Sequence, residues 1–261
     1  AEANCGTDPD VLIVLDRSGS MQSNNKWRDA KAAINQLTQS FAAQIRFGLM
    51  LFPGTGSSCA TGQVRVPVGP SQGGAITSQL NSTGPSGSTP MGASLTAAQT
   101  YLTGVDPGRA KYVVLITDGQ ANCGQSPTGP VSALAAAGIK TYVVGFGSGV
   151  NPTQLNQLAT LGQTARAGAT KYYQAGSPAQ LTQALQAIGS AVSCCGNGIV
   201  DSGELCDSAI PAGSNGGCPT QAQCDDNNAC TIDGVAGAAC AVTCTHTPIT
   251  QAIHGDGCCP A

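Results

Sequence analysis

The stretch Val11-Leu12-Ile13-Val14-Leu15-Asp16-Arg17-Ser18-Gly19-Ser20 decides the fold class of this 261-residue chain. A continuous apolar run is typical of a central strand in a parallel sheet, which is buried on both faces. A second such run, Tyr112-Val113-Val114-Leu115-Ile116, leads into Thr117-Asp118-Gly119 in the same way. Ligands bind outside the carboxyl ends of the strands in open α/β sheets. The two segments therefore predict a sheet whose edge carries a polar site.

Strand and helix signals alternate over the first 193 residues, which predicts an α/β fold: a doubly wound, mainly parallel six-stranded sheet with helices on both faces. Gln63–Val68 alternates polar and apolar residues and contains a proline, so we expect it to be the one antiparallel edge strand. The other predicted strands are Arg46–Phe52, Thr141–Phe146 and Lys171–Gln174. About six helices are expected, with signals at Lys26–Ala43, Pro90–Tyr101, Pro130–Ala137, Asn151–Gly162 and Ser177–Val192.

The composition changes sharply after residue 193. Nine of the thirteen cysteines lie between residues 195 and 259, where large apolar residues are few. Such a segment cannot fold on a hydrophobic core, which predicts a small, disulfide-stapled and irregular domain at residues 194–261 beside an α/β domain at residues 1–193. A zinc site at Cys240 and Cys244 is the alternative, although a clean pair of C-x₂-C motifs is missing.

Cysteine content and charge indicate where the protein acts. Thirteen cysteines favour an oxidising compartment, so a secreted or cell-surface protein is expected. All eleven Lys and Arg lie in residues 1–195. They form no basic stripe, so nucleic-acid binding is not expected. No apolar run approaches the ~20 residues that span a membrane, and the sequence does not open with a positively charged, apolar leader, so we expect it to begin after signal cleavage.

The Asp16-x-Ser18-x-Ser20 loop resembles the metal-ion-dependent adhesion site of von Willebrand factor type A domains, also called integrin I-like domains. Thr89 in Gly-Ser-Thr-Pro and Asp118 at the end of the second apolar run fit the same pattern, in order. The resemblance implies that the hydroxyls of Ser18, Ser20 and Thr89 ligate Mg²⁺ (or Mn²⁺ or Ca²⁺) directly. The carboxylates of Asp16 and Asp118 would bind directly or through water. A protein partner would complete the shell with an Asp or Glu carboxylate.

Two simpler interpretations remain open for these five residues. Asp, Ser and Thr often cap loops and helices, and Thr89 is expected to cap the helix that starts near Pro90. Alternatively, the metal stabilises the domain and binds no partner.

The predicted topology also places four cysteines. Cys59 follows the second strand and Cys123 follows the fourth, so a Cys59–Cys123 bridge would brace two loops at the metal edge. Cys5 precedes the first strand and Cys194 follows the last helix, so a Cys5–Cys194 (or Cys195) bridge would close the domain at the opposite edge.

The cysteine-rich tail (residues 194–261) begins with a segment similar to the C-G-N-G-x-x-D-x-G-E-x-C-D repeat of secreted proteins from myxobacteria, and a second acidic module follows. Their oxygen-bearing side chains suit Ca²⁺, and solvated Asx turns are an equal alternative. We expect both histidines, His246 and His254, at the surface. The odd number of cysteines leaves one thiol unpaired or bridging two chains. The possible calcium ligands are Asn197, Asp201, Glu204, Asp207, Asp225, Asp226, Asn228 and Asp233.

These features predict a secreted or cell-surface adhesion or matrix module that binds a protein partner through the cation. A self-assembling subunit of an extracellular filament or surface layer, with a structural metal, is the alternative. An enzyme is not expected, because neither histidine lies in the α/β domain and no Gly-rich phosphate loop follows the first strand.

Overall fold

The computed structural model describes residues 8–193, 196, 198–200, 204–237 and 240–250. Residues 8–192 belong to one compact unit, and the described residues from Ser193 onward belong to a second. The proposed Cys5–Cys194 (or Cys195) bridge lies outside the described residues, as do Asn197, Asp201 and His254.

The first unit is built on a six-stranded sheet, in which four of the five strand pairs are parallel. The strand order is β3-β2-β1-β4-β5-β6, and the one antiparallel pair is β2 with β3 at the edge. The predicted sheet is confirmed, including its antiparallel edge strand. The strands are β1 (Asp10–Asp16), β2 (Arg46–Phe52), β3 (Gln63–Gly69), β4 (Lys111–Thr117), β5 (Lys140–Phe146) and β6 (Tyr173–Ala175).

Helices cover both faces of this sheet, and a short 3-10 segment at Gly19–Asn25 precedes the first of them. The second helix was counted in the sequence but not located there. The predicted helix cap at Thr89 is wrong, because the third helix begins at Met91 and its N-terminus has no side-chain cap. The helices are α1 (Lys26–Ser40), α2 (Gly73–Asn81), α3 (Met91–Gly104), α4 (Thr128–Ala136), α5 (Pro152–Leu161) and α6 (Pro178–Val192).

Two apolar layers hold the unit together, one on each face of the sheet. Alternate residues of β1 point to opposite sides, as in any strand. Val11, Ile13 and Leu15 pack with α1, α2 and α6, whereas Leu12 and Val14 pack with α3, α4 and α5. All five side chains are buried, so β1 is the centre of the fold and its carboxyl end is held rigidly.

The second unit contains a two-stranded antiparallel hairpin, β7 (Thr231–Ala236) with β8 (Thr243–Pro248). The sequence has no strand period here, so the hairpin was not predicted and adds a regular element to the small disulfide-stapled domain. Disulfides Cys206–Cys218 and Cys224–Cys244 staple the unit, with Cα–Cα distances of 4.7 and 5.2 Å. The zinc alternative at Cys240 and Cys244 fails, because Cys244 is cross-linked to Cys224. Among the described residues, no helix has the length and apolar character needed to span a membrane.

Candidate metal centre

The predicted metal residues lie where the strand order of the sheet reverses. β1 runs beside β2 on one side and beside β4 on the other, and both pairs are parallel. Connections leave these strands in opposite directions, which opens a crevice at their carboxyl ends. Asp16 is the last residue of β1, and Asp118 directly follows β4. The topology therefore brings two carboxylates to one edge from positions about a hundred residues apart.

The Asp16 carboxylate is fully buried and bonded to both neighbouring segments. Its Oδ1 accepts from the Ser18 backbone N–H at 2.7 Å, and its Oδ2 accepts from the Thr117 hydroxyl at 2.6 Å. The pKa of Asp16 is raised to about 6: burial is the main cause, the hydrogen bonds from Ser18 and Thr117 lower it, and the nearby Asp118 adds a smaller rise. Asp16 thus joins the end of β1 to the end of β4 and fixes the turn into the Ser18 loop.

The Ser18, Ser20 and Asp118 side chains form a continuous chain of polar contacts. The Ser18 and Ser20 hydroxyls are 3.1 Å apart, and Ser20 donates to Asp118 Oδ1 at 2.8 Å. Ser18 and Asp118 are buried, whereas Ser20 is exposed to solvent. The site is therefore reached from solvent on the Ser20 side.

Thr89 is held at this edge by its backbone. The Gly19 N–H donates to the Gly87 carbonyl at 3.0 Å, which sets the loop before Thr89 against the first loop. The Thr89 N–H donates to Asn122 Oδ1 at 2.8 Å, and the Thr89 carbonyl accepts from the Asn122 N–H at 3.3 Å. Thr89 is 3% exposed. The segment after β4 therefore positions Thr89 through Asn122, a residue that the sequence analysis did not single out.

Lys26 is a second residue that the sequence analysis missed. Its ammonium lies 2.6 Å from Asp118 Oδ2, with side-chain exposures of 13% for Lys26 and 0% for Asp118. Lys26 is the first residue of α1, the end of a helix that disfavours positive charge. A lysine at this disfavoured position was the signal available in the sequence, because it predicts an anionic group nearby.

Arg17 ties the first loop to two others. Its Nε donates to the Pro53 carbonyl at 2.8 Å and its Nη1 to the Gly84 carbonyl at 2.9 Å, while Nη2 lies 3.3 Å from the Gly54 carbonyl. Arg17 occupies the first variable position of the D-x-S-x-S pattern, so the pattern itself says nothing about it. Its side chain holds the loops after β2 and before Thr89 in register with the Ser18 loop.

The Cys59–Cys123 disulfide is present and braces the same edge. Its Cα atoms are 5.7 Å apart, and it joins the loop after β2 to the loop after β4. Ser58 accepts a backbone hydrogen bond from Ser88 at 2.7 Å, one residue before Thr89. The bridge therefore closes a frame that surrounds the predicted metal residues.

The candidate calcium residues of the tail mostly accept hydrogen bonds from nearby backbone. The buried Asp207 carboxylate accepts from the N–H groups of Gly196, Gly198 and Ala209 at 2.8, 3.1 and 2.8 Å. The contact from Ala209, two residues further on, is an Asx-type turn of the kind that the sequence left open as an alternative, whereas Gly196 and Gly198 donate from an earlier loop. Glu204 lies near Asp207. Calcium in the tail stays a prediction.

The acidic module of the tail uses its side chains in the same way. Asp225 accepts from the Asn227 N–H at 2.8 Å, and Asp226 from the Asn228 N–H at 2.9 Å. His246 Nδ1 lies 2.7 Å from Asp233 Oδ1 on the neighbouring strand and 3.4 Å from Asp226 Oδ2. His246 is exposed, as expected, and the carboxylate of Asp233 raises its pKa above the ordinary value.

The donor set at the carboxyl edge fits a hard divalent cation. Mg²⁺ prefers a near-octahedral shell of oxygens and keeps some water. Asp16, Ser18, Ser20, Thr89 and Asp118 offer carboxylate and hydroxyl oxygens, and two of them are buried carboxylates close to each other. A divalent cation would balance the negative charge that these carboxylates place in a buried crevice.

Fold and site together define an open α/β domain with a hydroxyl- and carboxylate-lined site at the switch point of its sheet. The von Willebrand factor type A domain model matches residues 10–187, so the chain belongs to this family. The match excludes the tail, and the predicted myxobacterial-type repeat stays a prediction.

Related proteins of known sequence or structure share the first unit. YwmD of Bacillus subtilis strain 168, named as an uncharacterized protein, is 26% identical in a 191-residue alignment that covers 68% of this chain and 83% of YwmD. The mussel byssus protein proximal thread matrix protein 1, with a zinc-occupied MIDAS motif, is 22% identical with a TM-score of 0.56, over 73% of this chain and 49% of that one. The pilus adhesin SpaC from Lactobacillus rhamnosus GG is 15% identical with a TM-score of 0.59, over 74% and 31%.

This chain thus matches half or less of the length of these two solved chains. At such identities the likeness shows the fold alone.

Proposed function

We propose that the first unit binds a divalent cation through Asp16, Ser18, Ser20, Thr89 and Asp118, and that the cation accepts a carboxylate from a protein partner outside the cell. The observation that carries the proposal is the continuous contact from Ser18 through Ser20 to Asp118, which opens to solvent at Ser20. The related matrix protein and pilus adhesin, by their names, act outside the cell, which supports the same setting.

The chemistry of the site favours recognition over catalysis. Hydroxyl ligands are neutral, so a cation held by three of them and two carboxylates stays electrophilic and attracts a further anion. Protein oxygens that number fewer than six leave a position for water or an external ligand. Ser20 and Gly19 are exposed, so that position would face solvent. The self-assembly alternative rests on the tail, and a mass measurement with and without reductant and chelator tests it.

The first experiment measures cation binding by calorimetry with Mg²⁺ and Mn²⁺. Ser20→Ala and Thr89→Val each remove a hydroxyl, and we expect affinity losses on the order of 10- to 100-fold, the usual cost of perturbing a metal shell. The control is Ser23→Ala, because the Ser23 side chain is exposed in the same segment and has no hydrogen bond to the described residues of the site. Equal binding by Ser20→Ala and Ser23→Ala would contradict the proposed ligands.

Asp16→Ala is a poorer test variant than these. Asp16 is fully buried and accepts from the Ser18 N–H and the Thr117 hydroxyl, so its removal takes this acceptor from the Ser18 N–H and leaves the Thr117 hydroxyl with the Gly119 carbonyl at 3.3 Å. A buried donor without its partner costs about 1–3 kcal/mol. Lost binding could then reflect a damaged fold, whereas Ser20 and Thr89 are replaced by side chains that leave the backbone contacts intact.

The second experiment tests the open position. Water-proton relaxation of the Mn²⁺-loaded protein reports the waters bound to the ion. N-acetyl-aspartate amide at millimolar concentration is expected to displace bound water and lower the relaxation, whereas N-acetyl-asparagine amide, which has the same size and no charge, is not. Identical effects of the two compounds would refute carboxylate recognition and leave a structural cation.

A further inference from the structure

We propose that the Lys26 ammonium is a tethered counter-ion of Asp118 that competes with the divalent cation, so that cation binding requires Lys26 to leave the carboxylate. The inference rests on the proposed function of the site and adds a control element to it. Lys26 Nζ lies 2.6 Å from Asp118 Oδ2, while Ser20 occupies Asp118 Oδ1 at 2.8 Å. Both oxygens of the carboxylate are thus engaged by groups of the chain itself.

The fold holds Lys26 beside Asp118 at an energetically unfavourable position in its helix. Lys26 begins α1, where the helix dipole disfavours a positive charge. The two preceding residues, Asn24 and Asn25, have left-handed backbone conformations with φ of 54° and 58°, which turn the chain from the Ser20 segment into α1. The Asp118 carboxylate offsets the unfavourable dipole. The position is therefore explained by the partner and not by helix formation.

The opposite wall of the crevice leaves room for the lysine stem. Gly147, which directly follows β5, has φ of +87°, and a Cβ there would lie 3.0 Å from Lys26 Cε. Glycine serves at this position for two reasons, since it adopts positive φ readily and lets the stem pass close to the backbone. The ammonium thus reaches Asp118 across the ends of β4 and β5.

The physical consequence is competition for one carboxylate. An ammonium and a divalent cation repel each other, and a buried site screens this repulsion much less than water does. The lysine stem is flexible, and its head is a hydrated point charge that can return to solvent. A cation that uses Asp118 therefore displaces Lys26 and binds more weakly than it would without the lysine.

The test compares cation affinity in four proteins by calorimetry with Mn²⁺ and Mg²⁺. Lys26→Met removes the competing charge and keeps the length of the stem. We expect Lys26→Met to bind the cation about 10- to 100-fold more tightly than wild type does, because one charge-assisted hydrogen bond changes an equilibrium constant by about that factor. Lys26→Arg keeps the charge and is expected to stay within about threefold of wild type, as an ion pair with the same carboxylate.

Lys31→Met is the matched control. Lys31 lies on the same helix and contacts Asn81, on the exposed surface and away from the site. The variant removes the same charge from the same helix, so it measures only the long-range electrostatic effect of that charge on cation affinity. Screening by salt makes that effect small, and we expect a change within about twofold.

A second measurement separates competition from a structural role. Without cation, Lys26→Met leaves the buried Asp118 with no positive partner, so its melting temperature should fall below that of wild type. Added Mn²⁺ should then raise the melting temperature of Lys26→Met more than that of wild type. A lysine with only a structural role predicts the lower melting temperature with unchanged or weaker cation affinity.

The outcomes distinguish the two proposals. Cation binding by wild type that depends on Ser20 and Thr89, with equal affinities for Lys26→Met and Lys31→Met, overturns the competition and keeps the proposed function. If wild type does not bind the cation and Lys26→Met binds it tightly, Lys26 excludes the cation from Asp118 altogether, which supports the competition. No binding by any of the four proteins overturns both proposals.

Discussion

Removing the Cys59–Cys123 disulfide is expected to lower the free energy of unfolding of the first unit by about 2–4 kcal/mol. The bridge spans 64 residues, and the chain-entropy relation for a loop of that length gives about 4 kcal/mol near 25 °C. Cys59 is exposed and Cys123 is partly buried, so little packing is lost with the sulfur atoms. The loss should therefore come mainly from the greater freedom of the unfolded chain.

The assay is urea unfolding followed by the fluorescence of Trp27, the only tryptophan, which is buried in α1. The double variant Cys59→Ser, Cys123→Ser should unfold at lower urea with a larger m-value, because the unfolded chain exposes more surface without the cross-link. The matching alanine pair controls for the polarity of serine, and the two pairs should agree within about 0.5 kcal/mol. A loss below about 1 kcal/mol with an unchanged m-value would refute the reasoning.

Two further predictions concern the side chains of Arg17 and His246. Arg17→Met should lower the free energy of unfolding by about 1–3 kcal/mol, because three backbone carbonyls lose their donor. The control is Arg28→Met at an exposed position, which should change the free energy of unfolding by less than about 0.5 kcal/mol in the same urea experiment. NMR titration should give His246 a pKa above the ordinary histidine value, and Asp233→Asn should lower it, since the hydrogen bond that His246 donates to Asp233 is the main cause. The pair then stabilises the folded state below the unfolded pKa, and this contribution is lost as the pH rises through the folded value.

The sheet was predictable because each of its central strands carries its own signal. β1 and β4 are continuous apolar runs followed by polar loops, and that pattern is local. Helix α2 was not located, because only Ile76 and Leu80 of its nine residues are buried. Two apolar residues four positions apart are too few to establish a helical period.

The hairpin of the second unit was missed for a different reason. Ile232 is 63% exposed and Val235 is 44% exposed, so β7 has no buried face to impose an alternating pattern. The Cys224–Cys244 bridge ties β8 to the segment before β7 instead. Cross-links can hold strands together whose side chains give no hydrophobic signal, and the pairing of cysteines cannot be read from their spacing.

The sequence analysis found that Asp16 and Asp118 lie at one edge of the sheet but missed their neighbour Lys26, and the same topology explains both results. Asp16 ends β1, and Asp118 directly follows the neighbouring parallel strand β4. Each can therefore be found separately, as a polar residue at the carboxyl end of an apolar run. The contact between Lys26 and Asp118 joins residues 92 positions apart and depends on the direction in which α1 leaves the edge. Because only residues 17–25 separate the end of β1 from the start of α1, the helix begins close to the edge at which β1 ends. The first residue of α1 therefore lies close to Asp118, which is why a lysine at that position is placed to compete with a cation in the way proposed.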